Sequence, residues 1–547
     1  MTEIDYDIKD RKREMKKIYM RAGVVPYEVL TPEECLQRNA LGGNSGNLLY
    51  QYSMVKTLST EGTVVVPNQY RIHLNDADRI NEECEMFIIP LADAFRKDFM
   101  RELREITELV KHLTIPCVVT GVGLRSTYEP DFSKTKMFDE DVKNFINAVL
   151  DKSAMLGLRG EITAEYLKRL GYKEEVDYTV IGCPSLYMNG EHLKLKELHL
   201  NRDSKISTNS TIDPAPNFAY FLRRVQDEYK DHYFVGQVTR ELRLLYAGCQ
   251  MPANPLYPCK KYEDKIYQED RARFFVNVPK WMEFLTAMDL SVGSRFHGTI
   301  AGLMAGTPSI IFPGDSRTRE FVAYHKMPSM PMYEVPENLT LEELVERVDF
   351  KSVEQVQKKN FNHFIEFLDK NGIDHIYKEK SDKDYFQERM QNIELAPGLQ
   401  PLLEINQEIF KKRVLPSYDW LFDAFLTNNA NYSLLLDWLE IKNKGKSIAE
   451  YLKEQGFYKV AIFGATGVSE RLCEELECTS EISVECIMDE KSGKLIRGKI
   501  VQLIEESKLD DVDVVIVTMP YKKETIKDKF SKGCKVKFLN EIIDCLL

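Results

Sequence analysis

His297 stands two residues beyond Arg295 at the head of a run of small residues, and Arg317 and Arg319 follow the next apolar stretch. Arginine presents a planar fork to carboxylate or phosphate, and histidine exchanges a proton near neutral pH. The pattern from Asp289 to Glu320 reads as a strand (Leu290 to Gly293), a turn, a helix (Gly298 to Ala305), a strand (Ser309 to Phe312) and a cationic loop. The head of such a helix has unpaired N–H groups and a partial positive charge. The expectation is therefore an anion site, with Arg295, Gly298 and Thr299 contacting the substrate and His297 as the catalytic residue. The alternative, that Arg295 and His297 only cap a structural helix, would set two cationic groups side by side with no anion between them.

Further basic residues sit at equivalent junctions. Arg159 lies between an apolar run, Met155 to Leu158, and a helical pattern, Ile162 to Leu170; it is either a second anion clamp or a salt-bridge partner of Glu161 or Glu165. Arg125 closes the turn Gly121 to Ser126, and the glycine-rich stretch Gly42 to Asn47 brings Gly43 and Asn44 forward as groups that approach a substrate closely. Of Arg317 and Arg319, one reaches the anion while the other bonds Asp315 or Glu320; the order stays open. Glu241, Asp289 and Asp315 are candidate bases. Cys183, in the turn Ile181 to Met188, reads as a small buried apolar residue.

The segment SRFHGTIAGLMAGTPSIIF, preceded in order by GVGLRS, LRGEITAEYLKRLGY and IGCPSLYM, resembles the signature of the polysaccharide pyruvyl transferase family over about residues 40 to 330. The resemblance implies an α/β fold of two Rossmann-like lobes of GT-B type. It also implies transfer of pyruvate from phosphoenolpyruvate to a sugar as a ketal, with Arg159 facing the phosphoenolpyruvate. The partners expected are phosphoenolpyruvate and a saccharide or lipid-linked oligosaccharide acceptor. Two other readings are kept: a GT-B glycosyltransferase using a nucleotide sugar at the same basic helix start, and a non-catalytic sugar-binding or scaffold protein.

Short β-rich runs alternate with helices from about residue 40 to 200 and again to about 335, the rhythm of parallel sheets covered on both faces. This divides the chain into a lobe at 1–200 with a leading helix, a lobe at 201–335 carrying the anion site, closing helices and a helical connector at 336–450, and an accessory domain at 451–547. The last part, KVAIFGATGVSERL onward, restarts strand, glycine turn and helix, and Asp489 ends the next strand. Gly464, Gly467 and Asp489 fit a dinucleotide site in spacing. Thr466 and Ser469 stand where that motif has glycines, which favours a small Rossmann-like docking domain with no cofactor.

With 547 residues, 43% hydrophobic and 29% charged, the composition is globular. A net charge of −12 opposes nucleic-acid binding, so anionic substrates must meet a local positive pocket. No run of about eighteen apolar residues appears, and the first residues are charged where a signal peptide would be apolar. A cytoplasmic protein, peripheral at the inner membrane face if its acceptor is lipid-linked, is expected, and a homo-oligomer is left open. The eleven cysteines are scattered and read as reduced thiols. Cys473 and Cys478 pack within one helix, and no metal-ligand spacing occurs.

Overall fold

A computed structural model describes residues 15–378, 384–490, 492–519, 526, 529–530 and 535–547. The chain divides into two units, one of residues 1–71 and 80–414, the other of residues 72–79 and 415–547.

The first unit holds two parallel sheets. In the N-terminal lobe, β1 (Lys16–Met20), β2 (Thr63–Pro67), β3 (Met86–Pro90) and β4 (Cys117–Thr120) stand in the order β2-β1-β3-β4. Strands β5 (Leu156–Leu158) and β6 (Tyr178–Val180) continue the series through a parallel bridge between Val122 and Leu158. Strand order reverses at the β1–β3 boundary, which opens a crevice beyond the carboxyl ends of those strands. The second lobe pairs β7 (Ile206–Asn209), β8 (His232–Gly236), β9 (Ala272–Phe274), β10 (Leu290–Gly293) and β11 (Ser309–Ile311) in the order β11-β10-β7-β8-β9. Gly293 is in register with both Asn209 and Ile311, so the residues after three strands emerge side by side.

Two of these strands escape the sequence reading. The run Lys16–Met20 hides behind a charged stretch; among the described residues it opens the lobe, and a short helix, Pro32–Gln37, stands between it and the glycine-rich loop. Ile206–Asn209 is rich in Ser, Thr and Asn, yet all four residues are buried at the centre of the second sheet. Thr208 finds a partner there in His232 at 2.7 Å, and Asn209 accepts from the Arg295 N–H, while the Ser207 hydroxyl has none among the described residues.

The helix Gly46–Leu58 is buried on nearly every side, Gln51, Ser53 and Thr57 included, because it lies between the lobes. It packs on the turn Pro184–Tyr187 and on the second lobe's helix Phe296–Met304. The helices Ser316–His325 and Lys351–Lys370 return to the N-terminal lobe: Asn371 accepts from the Ala154 and Met155 N–H groups, and Gln357 donates to Leu186 and Gly190. Buried side chains of both lobes join in one apolar cluster that includes Leu49, Met54, Tyr187, Ile300 and Phe364.

The second unit is built on a six-stranded sheet. Strands β12 (Lys459–Phe463), β13 (Ser483–Asp489), β14 (Leu495–Ile496), β15 (Lys499–Leu503), β16 (Val514–Val517) and β17 (Val536–Phe538) take the order β14-β15-β13-β12-β16-β17. All pairs are parallel except β14 with β15. The long helix Leu415–Asn443 belongs to this unit, and its Leu434, Trp438 and Ile441 pack with Leu539, Ile542 and Ile543.

Candidate functional site

The carboxyl ends of the two sheets in the first unit face a cleft of about 810 Å³. From the N-terminal lobe come Gly42, Asn44 and Asn47, then Ala92, Asp93 and Arg96 after β3, and Arg125 to Thr127 after β4. From the second lobe come Thr211 to Asp213 after β7, Gln237 after β8, Ser294 to His297 after β10, and Gly314, Asp315, Arg317 and Thr318 after β11. Arg295, His297, Arg317, Arg125 and Asn44, separated by up to 273 positions, thus line one cavity.

His297 is the second residue of the nine-residue helix Phe296–Met304 and is only 9% exposed. Burial, reinforced by the positive charges of Arg159 and Arg317, holds its imidazole well below the usual histidine range. The ring is therefore held neutral. An arriving anion would reverse the electrostatic part of that shift and let the ring take up a proton. Gly46 makes room for it: a Cβ on Gly46 would lie 2.7 Å from both Cβ and Nδ1 of His297. Cys183 lies behind the ring, its Sγ 4.0 Å from Nε2.

Arg295 occupies the N-cap position. Its backbone N–H donates to Asn209 Oδ1 at 2.7 Å and its Nε to the Ser210 carbonyl at 2.8 Å, which aims the fork along the helix head. Its Nη2 is buried without a hydrogen-bond partner among the described residues, a donor the protein itself leaves uncompensated. Asp93, which the sequence reading did not single out, organises the opposite wall. It accepts from Arg96 at 2.6 Å and Arg317 at 3.1 Å, and lies 3.6 Å from Arg125. Burial raises its carboxyl, but the guanidiniums of Arg317, Arg96 and Arg125 outweigh burial and leave it below the ordinary carboxylate range. Four guanidiniums face three carboxylates, Asp93, Asp213 and Asp315, around this cleft.

The remaining candidates fall elsewhere. Arg159 does not line the cleft. It is fully buried behind the wall, donates to the Gly121 and Leu91 carbonyls at 2.9 and 3.3 Å, and stacks under the rings of Tyr50 and Phe296. Among the described residues it forms no salt bridge with Glu161 or Glu165; its charge acts on His297 from behind. Arg319 turns away to the Tyr128 carbonyl at 3.1 Å and stacks on that ring, so Arg317 is the member of the pair that faces the cleft. Gly298 and Thr299 are packing residues: a Cβ at Gly298 would meet Gln237 Nε2 at 2.4 Å, and Thr299 bonds back to the Arg295 carbonyl. Gly43 holds a left-handed turn (φ 81°), and its carbonyl accepts from Thr239 across the lobes. Of the three candidate bases only Asp315 reaches the cleft, where it caps the helix Ser316–His325 through Thr318. Glu241 is tied to the Gln237 and Val238 N–H groups, and Asp289 to Lys205 at the amino end of β10.

A smaller cavity, about 270 Å³, adjoins the cleft at the β1–β3 crevice and shares Gly42, Asn47, Ala92, Asp93 and Arg96 with it. Its lining also includes Arg21, Asn39, Gln51, Tyr70, Phe99 and Glu102. Gln69 and Tyr70 both take left-handed backbone conformations (φ 54° each), a strain that non-glycine residues keep only where surroundings enforce it. Asn68 Oδ1 accepts from the Tyr70 N–H, and Gln51 donates to the Tyr70 hydroxyl. No sequence motif marks this crevice; only the order of the strands reveals it.

In the C-terminal unit the glycine turn is filled from within. Asp489 accepts from the Ala465 and Glu490 N–H groups at 2.5 and 2.6 Å, Lys494 bonds the Ala465 carbonyl, and Ser469 bonds Gly464 and Thr518. Gly467 opens the helix Gly467–Glu477, and among the described residues nothing lies within 4 Å of where a Cβ on it would stand. Among the described residues no group of three or more His, Cys, Asp or Glu is placed to hold a metal ion, and no helix is long and apolar enough to cross a membrane.

Residues 44–316 match a family model described as polysaccharide pyruvyl transferase. No curated protein matches the chain. Among solved structures it is similar to MnaA of S. aureus bound to UDP, at 13% identity over 70% of this chain and 99% of that one, with a TM-score of 0.37. UDP-GlcNAc 2-epimerase of Neisseria meningitidis, bound to UDP-GlcNAc, is 10% identical over 65% of this chain and 100% of that one, TM-score 0.35. The glycosyltransferase SnogD of Streptomyces nogalater is 11% identical over 64% and 96%, TM-score 0.26.

Proposed function

The chain belongs, through residues 44–316, to the polysaccharide pyruvyl transferase family, and from that premise we propose that it transfers the three carbons of phosphoenolpyruvate to two hydroxyls of a saccharide as a ketal. The observation that carries this reading is the joint placement of a buried neutral His297, the open fork of Arg295 and the Asp93-ordered guanidiniums around one cleft. Phosphoenolpyruvate has two anionic ends. The helix head with Arg295 takes one, and Arg317 with Arg125 takes the other, as charge-assisted contacts in a site with fixed dipoles.

In the first step a proton adds to the methylene carbon and the neighbouring carbon becomes oxocarbenium-like; a sugar hydroxyl forms a C–O bond there and loses its proton. In the second step the bond from that carbon to the phosphate oxygen breaks, a second hydroxyl closes the ring, and its proton leaves with inorganic phosphate. His297, made more basic by the bound anion, is the group we assign to carry these protons. Asp315 is the carboxylate of the three candidates that stands within the same cavity. The acceptor ring is assigned to the adjoining crevice, where the amide side chain of Asn39 and the ring of Tyr70, held in place by Gln51, suit hydroxyls and a sugar face.

The test is phosphate release from phosphoenolpyruvate in the presence of a panel of hexosides, with the ketal product identified by mass. Asn39→Ala is expected to raise the acceptor KM while phosphoenolpyruvate binding stays unchanged. Hydrolysis of a nucleotide sugar in place of phosphoenolpyruvate consumption would overturn the reading.

A further inference from the structure

The helix Leu415–Asn443 carries a repeat of apolar side chains that are largely exposed. Leu415, Tyr418, Phe422, Phe425, Asn429, Tyr432, Leu436 and Leu439 follow one another at spacings of alternately three and four residues through four heptads. The residues that anchor the helix to its unit, Leu434, Trp438 and Ile441, lie at other positions of the repeat and are buried. Trp438 is fastened further by its Nε1 donating to Glu475 at 2.8 Å. The seam itself is exposed: Phe422 by 61%, Phe425 by 58%, Tyr432 by 65% and Leu439 by 56%. Leu426 and Leu435 extend the apolar strip on either side.

We propose that this seam is the interface between two copies of the chain, paired in parallel as a two-stranded coiled coil with Asn429 facing Asn429 of the second copy. The strict seven-residue period distinguishes it from a face meant for a globular core, where the period is 3.6. A single asparagine at one core position of such a repeat fixes register and favours two strands, because its amide is satisfied only by its counterpart. Between Leu415 and Ile441 there are four acidic residues and no Lys or Arg, and basic residues stand only at the two ends of this stretch, Lys411, Lys412 and Arg413 before it and Lys442, Lys444 and Lys446 after it. None of the four occupies a seam position, so parallel pairing brings no like charges together across the core. The area also suffices: at roughly 200 Å² per aromatic side chain, the exposed rings with the flanking leucines approach the ~800 Å² per partner of a stable interface.

Sedimentation velocity on the full chain, over a range of micromolar concentrations, tests this. The wild type is expected at twice the 63.5 kDa of one chain. The double variant Phe422→Asp with Phe425→Asp is expected to sediment as one chain with unchanged circular dichroism, and Asn429→Leu to associate in a stoichiometry other than two. A wild type that stays a single chain throughout, or a double variant that still dimerises, would overturn the proposal. So would flotation of the wild type, but not the double variant, with phosphatidylglycerol vesicles while the protein remains a single chain.

Discussion

The turn after Gly293 and the turn after Phe463 share a plan: a parallel strand ends, small residues turn the chain, and a helix begins at the switch point of its sheet. In the first, the polar groups are left for something else. Arg295 keeps a buried donor without a partner, and His297 is neutral among positive charges. In the second, the polar groups answer one another: Asp489 takes the Ala465 N–H, and Ser469 and Thr518 close over Gly464. A strand–glycine–helix motif therefore marks a site only where its donors and charges remain uncompensated by the protein itself.

The sharpest way to break this comparison is to remove the ring that only the first turn has. His297→Ala should lower kcat by roughly 10²- to 10⁴-fold, the range for a lost proton carrier, with the fold intact by circular dichroism. A loss below threefold would mean that the first turn is as inert as the second. Gly46→Ala should come next. Its new methyl group displaces His297, and a misplacement of about 1 Å costs on the order of 10² in rate, read as a fall in kcat at constant melting temperature.

The second turn should respond in the opposite sense. Gly464 holds φ 109° and a Cβ there would meet Thr518 Oγ1 at 2.7 Å. Gly464→Ala should destabilise the C-terminal unit by about 1–3 kcal/mol in urea unfolding and leave turnover unchanged. An effect on kcat with normal stability would give this turn a role in the reaction.

Acid separates the two units more gently. Burial pushes His232 and His325 down to about 3 and His297 well below its ordinary value. Their unfolded counterparts titrate near 6.5, so their neutral burial stabilises fully above that pH. For His232 and His325 the stabilisation is lost as pH falls from 6.5 towards 3, by about 1.4 kcal/mol per pH unit for each, and His297 acts in the same direction. Glu320 works on the other limb: burial raises it to about 8, so the stability it adds below 4.5 is lost as pH rises from 4.5 through 8. Residues 415–547 contain no histidine. Hydrogen exchange at pH 7 and pH 5.5 should show protection falling in the first unit and holding in the β12–β16 core. His325→Gln, which keeps an acceptor for the Cys183 N–H, should flatten the acid limb by one histidine's share.

Much of this architecture is written locally. The apolar runs of β3, β4, β10 and β11 announce themselves, and the cationic residues after β10 and β11 follow from position along the chain. What escapes is set by tertiary context. Strand β7 reads as polar, and its Thr208 and Asn209 find their partners only on segments distant in sequence, His232 and the Arg295 N–H. Asp93 carries no motif, and its importance comes from three arginines contributed by segments 3, 32 and 224 residues away. Arg159 and Arg319 stand at plausible junctions but point behind the wall and outward. A guanidinium's direction depends on which carbonyls and rings surround it, and sequence spacing does not encode that.

The central claim is that the cleft is built for phosphoenolpyruvate, and calorimetric titration tests it most directly, with wild type, Arg295→Ala and Arg319→Ala as proteins and UDP-GlcNAc as the competing ligand. Phosphoenolpyruvate should bind the wild type, bind Arg319→Ala equally well, and bind Arg295→Ala roughly 10- to 100-fold more weakly, as expected for one lost charged hydrogen bond. Binding of UDP-GlcNAc with no heat from phosphoenolpyruvate, or equal affinity in the Arg295 variant, would contradict it.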